Sequence, residues 1–186
     1  MEGYDFKFGR LQNTETVPFS YANIWDVERS SNYERLVIAP SSNQIDLLLE
    51  LTGILPEPFG ILYVLIISRA NHEVGRYQNP QPARRLEMES FLKSFKDFFE
   101  NDGRHHIWIA SLPSSSTLVY DNHNVIYAYG QLEHFQRVLA SQGLSRGEVT
   151  FPVPHTHNYN PMFDAEENRV LSYWEWKQFP LAESDQ

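Results

Sequence analysis

Apolar residues fall along this chain in two rhythms, one repeating every second residue and one every 3.6. Their succession predicts a sheet with helices laid over it. The clearest stretch is Arg104 to Gly130, RHHIWIASLPSSSTLVYDNHNVIYAYG. A strand over His105–Leu112 is followed by a Ser/Pro loop and two short β-rich runs, Thr117–Tyr120 and Val125–Tyr129. Asp121-Asn122-His123-Asn124 joins the two runs with the polar turn chemistry of a hairpin. This unit is expected in the middle of a sheet.

Further strands are expected at Leu36–Ala39, at Phe59–Arg69 and at Glu148–Val153. In the second, apolar residues occupy both parities, as in a strand covered on each side. In the third, Pro152 and Pro154 confine the strand to an edge. Between the first two, Ile45, Leu48, Leu49 and Thr52 form a helical stripe, with Ser41 as the candidate cap and Gly53 as the stop. This strand–helix–strand order suggests a crossover unit.

The strongest helical pattern runs over Ala83–Asp102, where Met88, Phe91, Leu92, Phe95, Phe98 and Phe99 recur on one face. Glu89 and Lys93 form a four-apart pair on the outer face. Leu132, Phe135, Val138 and Leu139 predict a helix over Gln131–Gln142, ended by Gly143 with Leu144 folding back onto Leu139. Asp164 and Glu167 mark a last helix start. Trp174-Glu175-Trp176 reads as helix or strand.

Residues 1–35 are weakly patterned, with Tyr4, Phe6 and Phe8 alternating as in a short strand. Asn71–Pro82 reads as a structureless loop of the kind that often carries function, and residues 182–186 read as a frayed tail. The expectation is one domain over 1–186, of α/β or α+β class. It would hold a single mixed sheet of about five to six strands with helices packed on its faces.

Composition narrows the chemistry. The chain has 186 residues, 15 Lys+Arg against 24 Asp+Glu, and a formal net charge of −9. That balance argues against nucleic-acid binding, which needs a basic face, and suits a basic partner. The absence of cysteine excludes disulfides, thiolate metal sites and cysteine nucleophiles. The longest apolar run, Ile61–Ile67, falls far short of the roughly 20 residues that span a bilayer. MEGYDFKFGR carries no apolar core of signal type. A cytoplasmic protein without membrane contact is therefore expected. Gly-rich phosphate loops, a Gly-X-Ser-X-Gly elbow and a His-Glu-X-X-His helix do not occur in it.

Two functional readings remain. The first is a binding protein without evident catalysis or cofactor, engaging a protein or small molecule through a polar aromatic rim. Its residues are His123, Tyr127 and Tyr159, with Arg76 and Tyr77 from the loop. The alternative is a metal-dependent, hydrolase-like enzyme. In an extended His155-Thr156-His157 both rings lie on one side, close enough to share an ion such as zinc. His105, His106 or His123 would complete that set.

Overall fold

In the computed structural model, which describes residues 5–185, the hairpin unit does lie at the centre of a sheet. Its strands are β7 (His105–Ser111), β8 (Thr117–Tyr120) and β9 (Ile126–Tyr129). The sheet is larger than expected. To one side stand β4 (Glu34–Ala39), β3 (Ile24–Arg29) and the two-residue β10 (Ser145–Arg146). To the other stand β5 (Phe59–Leu65), β6 (Gly75–Gln78) and β12 (Lys177–Phe179). The order is β10-β3-β4-β9-β8-β7-β5-β6-β12, nine strands, antiparallel except for the β10–β3 pair. A second, three-stranded antiparallel sheet holds β1 (Phe8–Gln12) between β2 (Glu15–Pro18) and β11 (His155–His157).

The expected single sheet of five to six strands is thus replaced by twelve strands in two sheets. The missing strands came from three places. The weakly patterned N-terminal stretch forms β1, β2 and β3, whereas Tyr4 lies outside the described residues. The loop at 71–82 contains β6, and the last tryptophans lead into β12. The strand expected at 148–153 does not form; that stretch lies between β10 and β11 without strand pairing.

The helices contribute to the core on one face only. They are α1 (Gln44–Gly53), α2 (Arg85–Ser94), α3 (Lys96–Asn101), α4 (Leu132–Ser141) and α5 (Asp164–Leu171). Their buried residues meet Leu36, Ile38, Ile61, Tyr63, Ile107, Ile109, Leu118, Tyr120 and Ile126 in one core cluster. Alternation along the strands sends the other parity to the opposite face: in β7, His105, Ile107 and Ile109 are buried under the helices, while His106 and Trp108 point away. Four successive antiparallel pairings separate β4 from β5, so the two run in the same direction with three strands between them. The crossover through α1 spans those strands instead of joining neighbours.

Local chemistry differs from expectation at several ends. The long helix breaks at Phe95 into α2 and α3, yet its six apolar residues are all buried as one stripe. Ser41 does not cap α1; the Ile45 N–H instead donates to Glu100 Oε1 of α3 at 2.8 Å. Gly143 takes φ +79 and the Leu144 N–H donates to the Leu139 carbonyl, so the expected stop of α4 is formed. Among the described residues no helix is long and apolar enough to cross a membrane.

Candidate functional site

The helix-free face of the large sheet is where side chains of mixed chemistry gather. Cross-strand register puts Val37, Tyr127, Val119, Trp108 and Leu62 in one row across five strands. Above this row lies a cleft of about 590 Å³. Its walls include Arg35, His106, Trp108, Tyr127, Tyr129 and Asp185, and Asp121, His123 and His157 line it as well. A few polar groups set into an aromatic concavity are typical of small-ligand sites.

The charged groups of the walls are paired among themselves. Arg35 bonds Glu28 Oε2 at 2.8 Å, donates to the Tyr129 hydroxyl at 2.7 Å and lies 4.1 Å over the Tyr127 ring. Arg76 holds both oxygens of Asp185 at 2.7 Å and covers Trp108. Asp185 is 1% exposed, so the expected frayed tail is docked against the cleft up to this residue. The Trp108 Nε1–H is buried and has no hydrogen-bond partner among the described residues.

Three histidines converge where the two sheets meet. His123 is held by the β8–β9 turn, and His155 and His157 by β11. Because β11 is extended, its two histidines share a side, as the His-X-His spacing predicts. Ring centroids are 4.6 Å apart for His123–His157 and 5.3 Å for each of the other two pairs. One ring nitrogen of each lies within 4.8 Å of those of the other two. Phe8, directly opposite His157 on β1, touches all three rings at 5.4–5.5 Å between centroids.

Each ring is tethered at Nδ1. The acceptors are Asp121 Oδ2 for His123 at 2.8 Å, the Asn122 carbonyl for His157 at 3.2 Å and the Pro152 carbonyl for His155 at 2.9 Å. Asp121 Oδ1 also accepts the backbone N–H groups of His123 and Val125, both at 3.0 Å. Burial works to raise the pKa of this carboxyl, but the hydrogen bond from His123 leads the opposing effects, which hold the group below its usual value. His157 is pushed down to about 4, by burial first and then by the neighbouring His123.

The remaining expected residues are dispersed. His105 packs among Phe98, Phe99 and Tyr63 on the helix face, and burial holds its pKa well below the usual value. It cannot join His155 and His157, because strand alternation puts the sheet between them. His106 faces the cleft next to Asn122, and burial lowers its pKa from the usual value. Tyr77 lies in the helix-side core and its hydroxyl donates to the Glu73 carbonyl. Tyr159 is half-buried and stands outside the cleft, while Arg76 and Tyr127 belong to its surroundings.

The sequence alone does not single out Trp108, Arg35, Asp185 or Phe8 as site residues. The parity shared by His106 and Trp108 on β7 was the readable signal for two of the cleft residues. Comparison with family models, with curated proteins and with solved structures gives no match to this chain.

Proposed function

We propose that this chain binds a small, uncharged organic ligand bearing an oxygen acceptor in the cleft on the helix-free face of the large sheet. The observation that carries this reading is the buried, unpartnered Trp108 Nε1–H in the cleft wall. A buried donor left unmet costs about 1–3 kcal/mol, which a carbonyl or hydroxyl oxygen of the ligand would recover once a small rotation of the indole brings the N–H to the cleft surface. The aromatic walls at Trp108, Tyr127 and Tyr129 suit the face of a ring. The arginines and acids beside them neutralise one another, which disfavours a strongly charged ligand. A concave site of this size supports a small molecule over a protein partner.

The test follows the indole N–H resonances of the four tryptophans in 15N-tryptophan-labelled protein. The probes are oxygenated ring compounds (phenols, lactones and cyclic amides) added at millimolar concentration. Binding compounds are expected to move the Trp108 resonance selectively and to lose this effect in Tyr127→Ala. If every compound leaves the Trp108 resonance in place, the reading is wrong.

A further inference from the structure

Beyond ligand binding in the cleft, we propose that His123, His155 and His157 form a site for one divalent first-row transition ion, with zinc the best fit. Their separation comes first. Bonds of about 2.0–2.1 Å in a tetrahedral arrangement place neighbouring nitrogens about 3.4 Å apart. The three ring nitrogens already lie within 4.8 Å of one another, so modest ring rotations close the set.

The second observation is independent of distance and concerns tautomers. A neutral imidazole has one N–H and one lone pair, and the partner of one nitrogen decides which is which. Backbone carbonyls only accept, so Nδ1 of His155 and of His157 must carry the proton. Asp121 already accepts two backbone N–H groups at Oδ1 and offers Oδ2 as a carboxylate acceptor, so Nδ1 of His123 carries the proton as well. All three rings therefore present their lone pair at Nε2. Three separate tethers selecting the same tautomer is the arrangement that metal-bound histidines need, with an acceptor behind each ligand.

The ligand chemistry selects the ion. Three imidazoles without a coordinating carboxylate suit zinc, nickel, cobalt or copper and do not suit magnesium or calcium, which demand oxygen. Buried Asp121 supplies a negative charge one bond behind His123, which offsets part of the ion's charge. His123 and His157 both line the cleft, so a fourth coordination position would open towards it. Three histidines with an open fourth position are the arrangement of catalytic zinc centres, whereas structural zinc sites are closed by four protein ligands.

Untagged protein, stripped with chelator, is titrated with zinc chloride by calorimetry and by competition against a chromophoric chelator. One equivalent should bind with a dissociation constant in the micromolar range or below. Cobalt(II) should give the intense visible bands of a tetrahedral site. His155→Ala, an exposed position, should weaken binding at least 100-fold, whereas exposed His134→Ala should leave it unchanged.

Asp121→Asn separates the tautomer argument from simple folding. Its side-chain oxygen still accepts the His123 and Val125 N–H groups, but its amide faces His123 Nδ1 as a donor. That drives the proton to Nε2, and zinc affinity should fall 10- to 100-fold without a change in thermal stability of the metal-free protein. The proposal is overturned if wild type binds no zinc at 100 μM. It is equally overturned if the His123, His155 and His157 triple alanine variant binds as tightly as wild type. Either result leaves the Trp108 experiment standing, since that experiment is read in metal-free protein.

Discussion

Arg104 Nη1 donates to Glu167 Oε2 at 2.6 Å, and neither side chain is exposed. The same guanidinium holds both oxygens of buried Asp102 and donates to the Asn160 carbonyl. Asp102 Oδ2 in turn accepts the Asn160 N–H at 2.7 Å. The start of β7 is thereby tied to the segment between β11 and α5. Buried charges are tolerated when their hydrogen bonds are filled, and removing one partner strands the others. Arg104→Met is expected to cost about 3–5 kcal/mol in urea unfolding. A loss under about 1 kcal/mol would show that the network is dispensable.

The same network gives an acid limit. Burial acts to raise the Glu167 pKa, but hydrogen bonds from Ser68, Arg104 and the Arg69 N–H outweigh it and the group ends below its usual value. Its stabilisation is therefore complete above the unfolded carboxyl pKa of about 4.3 and is lost as pH falls through the lower folded value. Wild type should lose stability on acidification below about pH 4.3 more steeply than Glu167→Gln. Parallel slopes for the two proteins would refute this.

Phe8 is 1% exposed and supports all three rings of the histidine cluster. Phe8→Ala should cost about 3–5 kcal/mol, through lost burial and the cavity left behind, and Phe8→Leu clearly less. Denaturant unfolding with the slope compared to wild type provides the check. Near-equal stability of the alanine variant would mean that the small sheet does not unfold with the large one.

Gly9 faces Pro18 on one side and Thr156 on the other. A Cβ there would stand 2.8 Å from Phe6 Cε2, 2.9 Å from the Val17 carbonyl oxygen and 3.0 Å from Thr156 Oγ1. The carbonyl is backbone and cannot rotate away, so Gly9→Ala must part β1 from a neighbour. A loss of about 1–3 kcal/mol is expected. Amide shifts should concentrate at 155–157 and spare β7 to β9; shifts centred on β7 would contradict this placement.

Lys7 is buried with Nζ on the Phe99 carbonyl at 3.1 Å and 3.8 Å over the Tyr120 ring. Burial lowers its pKa to about 7 against an ordinary 10.5. Between those values the unfolded chain binds the extra proton, so folding stability contributed by this group rises with pH from about 7 to about 10.5. Below pH 7 its full cost is present. Lys7→Met should be more stable than wild type near neutrality and should lack that rise. Identical pH profiles for the two proteins would rule it out.

The parts of this fold that were legible are those built from near neighbours in the chain. The β7–β8–β9 hairpins, the stripes of α1 and α4, and the Phe91–Phe99 stripe rest on local period and turn chemistry, and all occur. β3 was equally readable, because Trp25 and Val27 alternate with Asp26 and Glu28, but its half-buried residues gave no fully apolar side to notice. The size of the large sheet was hidden because β6 and β12 are short and polar and pair with each other across about a hundred residues. His155 and His157 were placed together from spacing alone. Their meeting with His123 instead of His105 depends on which face of the large sheet the small one covers, and periodicity in β11 does not encode that.

The pairing of β1 with β11 also sets an order of events. Phe8 and His157 are cross-strand neighbours, yet nearly the whole chain separates them. Contacts this distant in sequence form slowly relative to hairpins. The β8–β9 turn that carries His123 is local and can form early, while the strand that carries the other two histidines closes later. A folding experiment should therefore find the β7–β9 hairpins established before the histidines come together, which makes the cluster a clock for a late step of folding.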